Sequence, residues 1–368
     1  MPGRSFAERS FVTNSSEDAS SPRGRLLVAS CRSGDYLARA VIDRYRSGLA
    51  QAGEDRAVLY LEDVDFRFSD SETCACLEAD VNGCDAFLFQ ALFDPTSERS
   101  VDPNYVAFLT AVRALREWGA NHVTAVLPYL AYARQDKPSR FKREPTTAKL
   151  MANLGVEAGI DRLVTWHPHT QRLQGFYGDT PIDTMDAVSM FAHEFREFRG
   201  RDDVVAIAPD AGASKFVTYL GRALDLACAI ASKHRPRPEK AVISEIIGDL
   251  ADKRVALVLD DMISSGGTIY ALLTMLSRQS EIEEVYVGVS HNLCTRRAWE
   301  RLLELQAEHH LDQVITTNSI PQTDEFVTLP FFSVRDLSGT LAWVINRIHH
   351  NRSVGEVASA MEDESSKE

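Results

Sequence analysis

The chain has 368 residues, of which 44% are hydrophobic and 25% charged, a balance that excludes a mostly disordered, collagen-like or coiled-coil protein. This length predicts two domains, and the apolar stretches fall short of the ~20 residues that a membrane-spanning helix needs. Lys and Arg number 40 against 53 Asp and Glu, which gives a net charge of −13. We therefore expect neither nucleic acid nor a membrane among the partners, and an anionic ligand would need a local basic cluster.

We predict that both ends of the chain are disordered tails. Residues 1–25 are rich in Ser and Arg and lack the apolar stretch of a secretory signal. A transit peptide is the alternative to a disordered tail here, and the acids Glu8, Glu17 and Asp18 weigh against it. We assign residues 353–368 to an acidic C-terminal tail.

The six cysteines are scattered, and we interpret them as reduced thiols in a reducing compartment. A zinc site at Cys74, Cys76 and Cys84 is the alternative, but their spacing lacks a pair of C-x-x-C motifs. These features predict a cytoplasmic protein.

Short apolar, β-branched runs alternate with longer amphipathic segments along the chain. The predicted strands include residues 26–29, 57–60, 86–89, 123–127, 163–165, 204–207, 226–230, 255–259, 285–289 and 314–315. Continuous apolarity is typical of parallel strands that are covered on both faces by helices. The segments between them repeat apolar residues at helical spacing, as at Leu37, Val41 and Tyr45. The pattern predicts an α/β fold with two mostly parallel sheets.

We place the domain boundary near Asp186, because residues 177–181 read as a loop. The expected organisation is an N-terminal domain over 26–185, a C-terminal domain over 186–335, and a final helix over 336–352 that packs back on the first domain. The pairs His309–His310 and His349–His350 lie in amphipathic segments, and we read them as solvated faces.

The strongest motif is VALVLDDMISSGGT at residues 255–268. A buried strand leads into Asp260 and Asp261, and small residues then precede an apolar helix. Small residues let the backbone wrap a phosphate, and the helix N-terminus adds N–H donors and a favourable dipole. Two acids at the carboxyl end of a parallel strand can accept hydrogen bonds from a vicinal diol. A sugar phosphate fits both halves of this loop, whereas a Gly-rich turn capped by acids is the simpler alternative.

This segment resembles the phosphoribosyl-binding loop of phosphoribosyltransferase-fold proteins, which implies two phosphoribosyltransferase-like domains, each a mostly parallel sheet flanked by helices. Further segments are similar to ribose-phosphate pyrophosphokinases, also called PRPP synthetases, in order from about residue 26 to about 350. They are residues 67–72, 127–149, 174–176, 209–212, 233–237, 246–249 and 317–321. The resemblance implies transfer of diphosphate from ATP to the C1 hydroxyl of ribose 5-phosphate, which gives PRPP and AMP.

The resemblance also implies roles for individual residues. ATP would be bound by Phe68, Asp70, Glu72, Arg134, Gln135, Asp136 and His169; ribose 5-phosphate would be bound by Asp260, Asp261, Ser264, Ser265, Gly266, Gly267 and Thr268. Lys233 and Arg235 would stabilise the transferring group, because phosphoryl transfer needs cations where negative charge spreads. Residues 236–247 would form a mobile loop that excludes water. His169, Asp210 and, as a further candidate, His167 would lie near a Mg²⁺ ion.

The resemblance implies a homo-oligomer built from dimers, with a hexamer as one option, because the tip that carries Phe68 reaches a neighbouring subunit in this family. Three places depart from the family pattern: His167 replaces an acid, Ser264 stands where an Asp is usual, and residues 290–296 replace a stretch of small residues. Mg²⁺ prefers oxygen ligands, so the first change weakens a magnesium site. Two alternatives to an active synthetase therefore remain: a catalytically weak paralogue that assembles with active synthetases, and a phosphoribosyltransferase.

Overall fold

The computed structural model of the chain describes residues 21–54, 58–139, 141–237 and 240–355; the side chains of residues 233–242 lie outside this description. The chain forms two compact units. The first change of unit falls between Met185 and Asp186, and the second falls between Arg335 and Asp336, so the C-terminal segment belongs to the first unit. No helix in the described ranges is long and apolar enough to cross a membrane.

The strands are β1 Arg25–Ser30, β2 Leu59–Leu61, β3 Asp65–Arg67, β4 Thr73–Ala75, β5 Cys84–Phe89, β6 His122–Val126, β7 Arg162–Trp166, β8 Ile182–Met185, β9 Val204–Ala208, β10 Ala227–Arg237, β11 Lys240–Ile247, β12 Val255–Ile263, β13 Glu284–Asn292, β14 Leu311–Thr317 and β15 Phe332–Arg335. The helices are α1 Asp35–Gln51, α2 Val101–Glu117, α3 Thr147–Ala158, α4 Val188–Glu194, α5 Ser214–Leu224, α6 Gly267–Gln279, α7 Arg296–Glu308, α8 Asp324–Val327 and α9 Ser338–His349.

The first unit is built on a parallel sheet with the strand order β2-β1-β5-β6-β7-β8. Its central strand β5 is buried along its whole length, as expected of a parallel strand covered on both faces, and the charged residue Asp85 is buried with it. Strands β3 and β4 form a separate antiparallel hairpin. The sequence pattern did not predict β8, whose short run Ile182–Met185 has two adjacent polar residues between two apolar ones.

A buried cluster of polar side chains joins the two ends of the first unit. Asp85 on β5 is fully buried and accepts hydrogen bonds from Nε of Arg23, at 3.1 Å. The ring nitrogen Nδ1 of His349, on α9, lies 2.8 Å from the same carboxyl group. Residues 21–25 are therefore part of the fold, not of a loose tail. The prediction that His349 lies on a solvated face is also wrong.

The second unit is built on a sheet with the order β11-β10-β9-β12-β13-β14-β15, in which only the β10–β11 pair is antiparallel among the described strands. Apolar side chains of α6, α7 and α8 pack with those of the sheet in one buried cluster, which includes Leu272, Leu302 and Phe326. These two mostly parallel, helix-flanked sheets confirm the predicted fold class.

The backbone of residues 240–247 forms strand β11, so most of the segment predicted to be a mobile loop has regular strand structure. The segment contains Val242, Ile243, Ile246 and Ile247, and β-branched residues favour extended backbone. Strands β10 and β11 pair with a register shift after Ser232.

Candidate active site

The loop after β12 has the geometry expected of a phosphate-binding turn. Buried residues Val255–Leu259 lead to the carboxyl end of the strand, and α6 begins at Gly267. Gly266, the residue before the helix, has a φ of +69°, a left-handed conformation that favours glycine. The first N–H groups of this 13-residue helix have no partners within the helix, and its dipole favours an anion here.

Three carboxyl groups lie close together beside this loop. The backbone amide of Asp261 donates a 2.9 Å hydrogen bond to Oδ1 of Asp260. Burial raises the pKa of Asp260 well above its usual value, and the negative charges of Asp261 and Asp210 raise it further. The structure thus brings Asp210, predicted as a metal residue, into electrostatic reach of the acid pair predicted to bind the ribose.

Asp210 follows β9, and its Oδ1 accepts a 2.9 Å hydrogen bond from the Gly212 amide, which fixes the turn before α5. Carboxylate oxygens are the ligands that Mg²⁺ prefers. The donor chemistry of Asp210, Asp260 and Asp261 therefore fits this ion.

The predicted cations Lys233 and Arg235 belong to β10, three and five residues beyond Ile230, which pairs with Ala208 at the end of β9. Their backbone thus continues past the carboxyl edge of β9. Their side chains lie outside the described part of the structure.

In the first unit, Arg134, Gln135 and Asp136 follow β6; Arg134 and Gln135 are exposed, and Asp136 is half-buried. Oε1 of Gln135 accepts a 2.6 Å hydrogen bond from Thr147 at the start of α3. Asp136 lies 3.7 Å from Nη1 of Arg172, in the turn after β7. These contacts bring the predicted ATP residues to the same sheet edge as the segment that carries His169.

His167 and His169 follow directly after β7. The amide of His167 donates a 3.0 Å hydrogen bond to the Met185 carbonyl, and its φ of +34° lies in the left-handed region, which is uncommon for residues other than glycine. His169 is exposed. Imidazole nitrogens suit Mg²⁺ less well than carboxylates do, so in the first unit the donor chemistry of these two residues fits the ion poorly.

Three of the predicted ATP residues, Phe68, Asp70 and Glu72, lie at the tip of the β3–β4 hairpin. Phe68 is 51% exposed and lies edge-on to Phe66, with ring centroids 5.0 Å apart. The amide of Glu72 donates a 3.0 Å hydrogen bond to Oδ1 of Asp70, and this bond stabilises the turn. Phe68, Asp70 and Glu72 are thus brought together on an exposed tip.

The base of this hairpin is anchored by a buried ion pair that the sequence analysis did not identify. Asp65 on β3 is fully buried. Its carboxylate accepts a 2.6 Å hydrogen bond from the amide of Arg32 and forms an ion pair with Arg99. Thr147 and Arg172 were not predicted from the sequence either. Arg172 lies only three residues after His169, which was the one signal in the sequence that pointed to it.

The fold and the loop after β12 define a protein of the phosphoribosyltransferase-like α/β class. Two family models match the chain: the N-terminal domain of ribose phosphate pyrophosphokinase over residues 26–159, and the phosphoribosyl synthetase-associated domain over residues 220–358.

Curated proteins and a solved structure agree with these matches. The chain is 34% identical to the ribose-phosphate pyrophosphokinase of Mycoplasma pneumoniae over 290 residues, covering 79% of this chain and 85% of that protein. It is 33% identical to the enzyme of Pasteurella multocida over 308 residues, covering 83% of this chain and 94% of that protein. The crystal structure of phosphoribosylpyrophosphate synthetase from Mycobacterium smegmatis superposes with a TM-score of 0.73 at 28% identity, covering 89% of this chain and 99% of that one.

The chain belongs to the ribose-phosphate pyrophosphokinase family. This confirms the resemblance that the sequence motifs indicated.

Proposed function

We propose that the protein is a ribose-phosphate diphosphokinase, which transfers diphosphate from ATP to ribose 5-phosphate and releases PRPP and AMP. The observation that carries the proposal is the loop from Asp260 to Thr268. In a chain of this family, this loop combines adjacent carboxyl groups with a glycine turn at a helix N-terminus.

The reaction is an in-line displacement at phosphorus. The C1 hydroxyl oxygen of ribose 5-phosphate forms a bond to the β-phosphorus of ATP, and the bond from that phosphorus to the α–β bridging oxygen breaks. AMP leaves with the bridging oxygen, and the hydroxyl proton is released. Because no covalent enzyme intermediate is needed, the protein contributes position and electrostatic stabilisation.

The second unit would bind the sugar phosphate. The N–H groups of Ser264–Thr268 would hold the 5-phosphate, while Asp260 and Asp261 would accept hydrogen bonds from the ribose hydroxyls. Their proximity and the left-handed Gly266 support this assignment.

The first unit would bind ATP. The exposed ring of Phe68 is suited to pack on a purine, with Asp70 and Glu72 beside it as hydrogen-bond acceptors. Arg134 and Gln135 would contact the nucleotide, with Arg134 near its phosphates. The contacts of Gln135 with Thr147 and of Asp136 with Arg172 support a fixed rather than a loose segment.

Lys233 and Arg235 would stabilise the charge that develops on the transferring group. A cation at such a position typically lowers the barrier by several kcal/mol, on the order of 3 to 4. Their place on β10, beyond the carboxyl edge of β9, supports the assignment.

Asp210 would hold a magnesium ion. His169 would contact the nucleotide. When bound, Mg²⁺ supplies positive charge that neutralises phosphate oxygens. Asp260 and Asp261 also offer suitable oxygen donors.

A catalytically weak paralogue is the second candidate, and a specific observation favours it: His167 replaces the family's acid and has a left-handed backbone. A phosphoribosyltransferase is the third candidate, and the ATP-side segments weigh against it because such an enzyme does not need them. A homo-oligomer built from dimers and a cytoplasmic location remain predictions.

One assay separates these candidates. Purified protein is incubated with ATP, ribose 5-phosphate and Mg²⁺, and AMP and PRPP are followed. Formation of both products only in the presence of the sugar supports the proposal. Absence of AMP together with capture of an active synthetase supports the paralogue, and loss of PRPP with a nucleobase supports the transferase.

The variant Lys233→Ala tests the assigned cation. We expect it to abolish turnover and to leave ribose 5-phosphate binding nearly intact. Lys253→Ala is the matched control, because Lys253 lies just before β12, at the amino ends of the strands and not at their carboxyl ends. Retained turnover in Lys233→Ala would show that the cation is assigned wrongly.

A further inference from the structure

Helix α7 holds two consecutive carbonyl groups of the phosphate loop. Oγ1 of Thr295 donates a 2.6 Å hydrogen bond to the carbonyl oxygen of Ser264. Nη1 of Arg301 donates a 2.5 Å hydrogen bond to the carbonyl oxygen of Ser265. Both carbonyls therefore point toward α7.

The orientation of these carbonyls fixes the adjacent amides. In a trans peptide the C=O and the following N–H point in opposite directions. The N–H groups of Ser265 and Gly266 therefore point away from α7, where an anion can accept from both. Successive N–H groups that point the same way form an anion-binding concavity.

Both donors are themselves held in place. Thr295 is the N-terminal cap of α7, and its Oγ1 accepts from the Ala298 amide at 3.3 Å. The guanidinium of Arg301 lies 5.8 Å from the ring centroid of Tyr270 on α6. The backbone amide of Tyr270 in turn donates a 2.9 Å hydrogen bond to the Gly266 carbonyl.

Arg301 also packs directly against the glycines of the loop. A Cβ atom placed on Gly267 would lie 3.1 Å from Nη1 of Arg301, closer than ordinary van der Waals contact. The guanidinium thus occupies this side of the turn, and its positive charge favours an anion on the other side.

We propose that Thr295 and Arg301 are positioning residues that orient the phosphate loop for the 5-phosphate of the sugar, without touching it themselves. The inference rests on the proposed function, because that function supplies the sugar phosphate. It adds two residues of α7 to the loop and predicts an effect on ribose 5-phosphate but not on ATP.

The test compares Thr295→Val and Arg301→Met with the wild type. Ribose 5-phosphate and, separately, inorganic phosphate are titrated calorimetrically without ATP, and KM is measured for both substrates. We expect each variant to bind ribose 5-phosphate and inorganic phosphate about tenfold more weakly, as loss of an ordering hydrogen bond predicts. KM for ATP should stay unchanged.

Two controls separate orientation of the loop from general stability. Thr295→Ser keeps the hydroxyl and should restore phosphate binding, although it lacks the methyl group. Arg296→Met removes an exposed guanidinium of the same helix that pairs with Glu300, and it should bind as the wild type does. If Arg301→Met fails to fold, the Thr295→Val and Thr295→Ser pair decides the question.

Variants that melt at lower temperature but bind both phosphate probes as the wild type does would overturn the proposal. If the wild type binds inorganic phosphate but not ribose 5-phosphate, the proposed function fails while the role of α7 is still decided by phosphate. If the wild type binds neither probe, both are overturned.

Discussion

Asp260 accepts a 2.9 Å hydrogen bond from the amide of its neighbour Asp261, whose negative charge raises the pKa of Asp260. Burial is the first cause of the raised pKa of Asp260, and the charges of Asp261 and Asp210 add to it. An acid whose pKa is higher in the folded than in the unfolded protein costs stability once the pH exceeds its unfolded value of about 3.9.

We therefore predict that Asp260→Asn stabilises the protein while weakening the binding of ribose 5-phosphate. The side-chain amide of Asn keeps an oxygen that can accept from the backbone amide of Asp261, and it removes the charge, so the free energy of unfolding at pH 7 should rise. The difference between variant and wild type should shrink as the pH falls toward 4. Chemical unfolding at several pH values and calorimetric titration with ribose 5-phosphate measure both effects.

Asp249→Asn is the matched control, because Asp249 is exposed in the same unit and also accepts a backbone amide, that of Ala251 at 2.9 Å. It should change neither quantity. A loss of stability in Asp260→Asn would contradict the cost assigned to ionising the half-buried Asp260 beside Asp261.

Phe68→Ala should raise KM for ATP about tenfold and leave KM for ribose 5-phosphate unchanged. Loss of one aromatic stacking surface typically costs 1 to 2 kcal/mol, on the order of a tenfold change. Because Phe68 is 51% exposed, the melting temperature should change little. Trp118→Ala, at a residue that is 71% exposed in the same unit, is the control. Equal KM values for ATP in wild type and Phe68→Ala would remove Phe68 from the nucleotide site.

Arg99→Met should destabilise the first unit because it leaves the fully buried carboxylate of Asp65 without its cation. Removal of one partner of a buried pair typically costs about 3 to 5 kcal/mol. The double variant Asp65→Asn with Arg99→Met should recover much of this loss, since no buried charge remains. Urea unfolding of the four proteins in this cycle gives the coupling energy, and purely additive effects would show that the pair does not anchor the hairpin.

Arg23→Met should lower the free energy of unfolding by about 3 kcal/mol, because Asp85 is fully buried and depends on Arg23 and His349 for its hydrogen bonds. The control is Arg113→Met, whose guanidinium lies on the exposed surface of α2 in the same unit. Similar stability of Arg23→Met and wild type would mean that residues 21–25 contribute little to the fold.

The parts of the fold that follow from local pattern could be predicted from the sequence. Residues 86–89 of β5 and 255–259 of β12 are continuous apolar runs because both faces of a parallel sheet are covered. β8 and β11 were missed, because β8 is short and the resemblance suggested a loop where β11 pairs with β10. His349 was misread because its amphipathic helix gives no sign of Asp85, 264 residues away in the chain.

In the candidate site, too, contiguous residues could be predicted from the sequence, and contacts between distant segments could not. The loop from Asp260 to Thr268 could be predicted because its strand, acids, glycines and helix are contiguous in the sequence. The contacts of Arg301 with Ser265 and of Arg172 with Asp136 could not, because each joins segments separated by 36 residues. Such partners depend on the packing of helices against the sheet, which a local pattern does not encode.

The most direct measurement follows the phosphorus atoms of ATP labelled at the β position, in the presence of ribose 5-phosphate and Mg²⁺. The account predicts that the β label appears in the sugar product, in amounts equal to the AMP released, and that omission of the sugar prevents both. If the β label appears instead in ADP, or if AMP forms at the same rate without the sugar, the protein does not transfer diphosphate to ribose 5-phosphate and the account is contradicted.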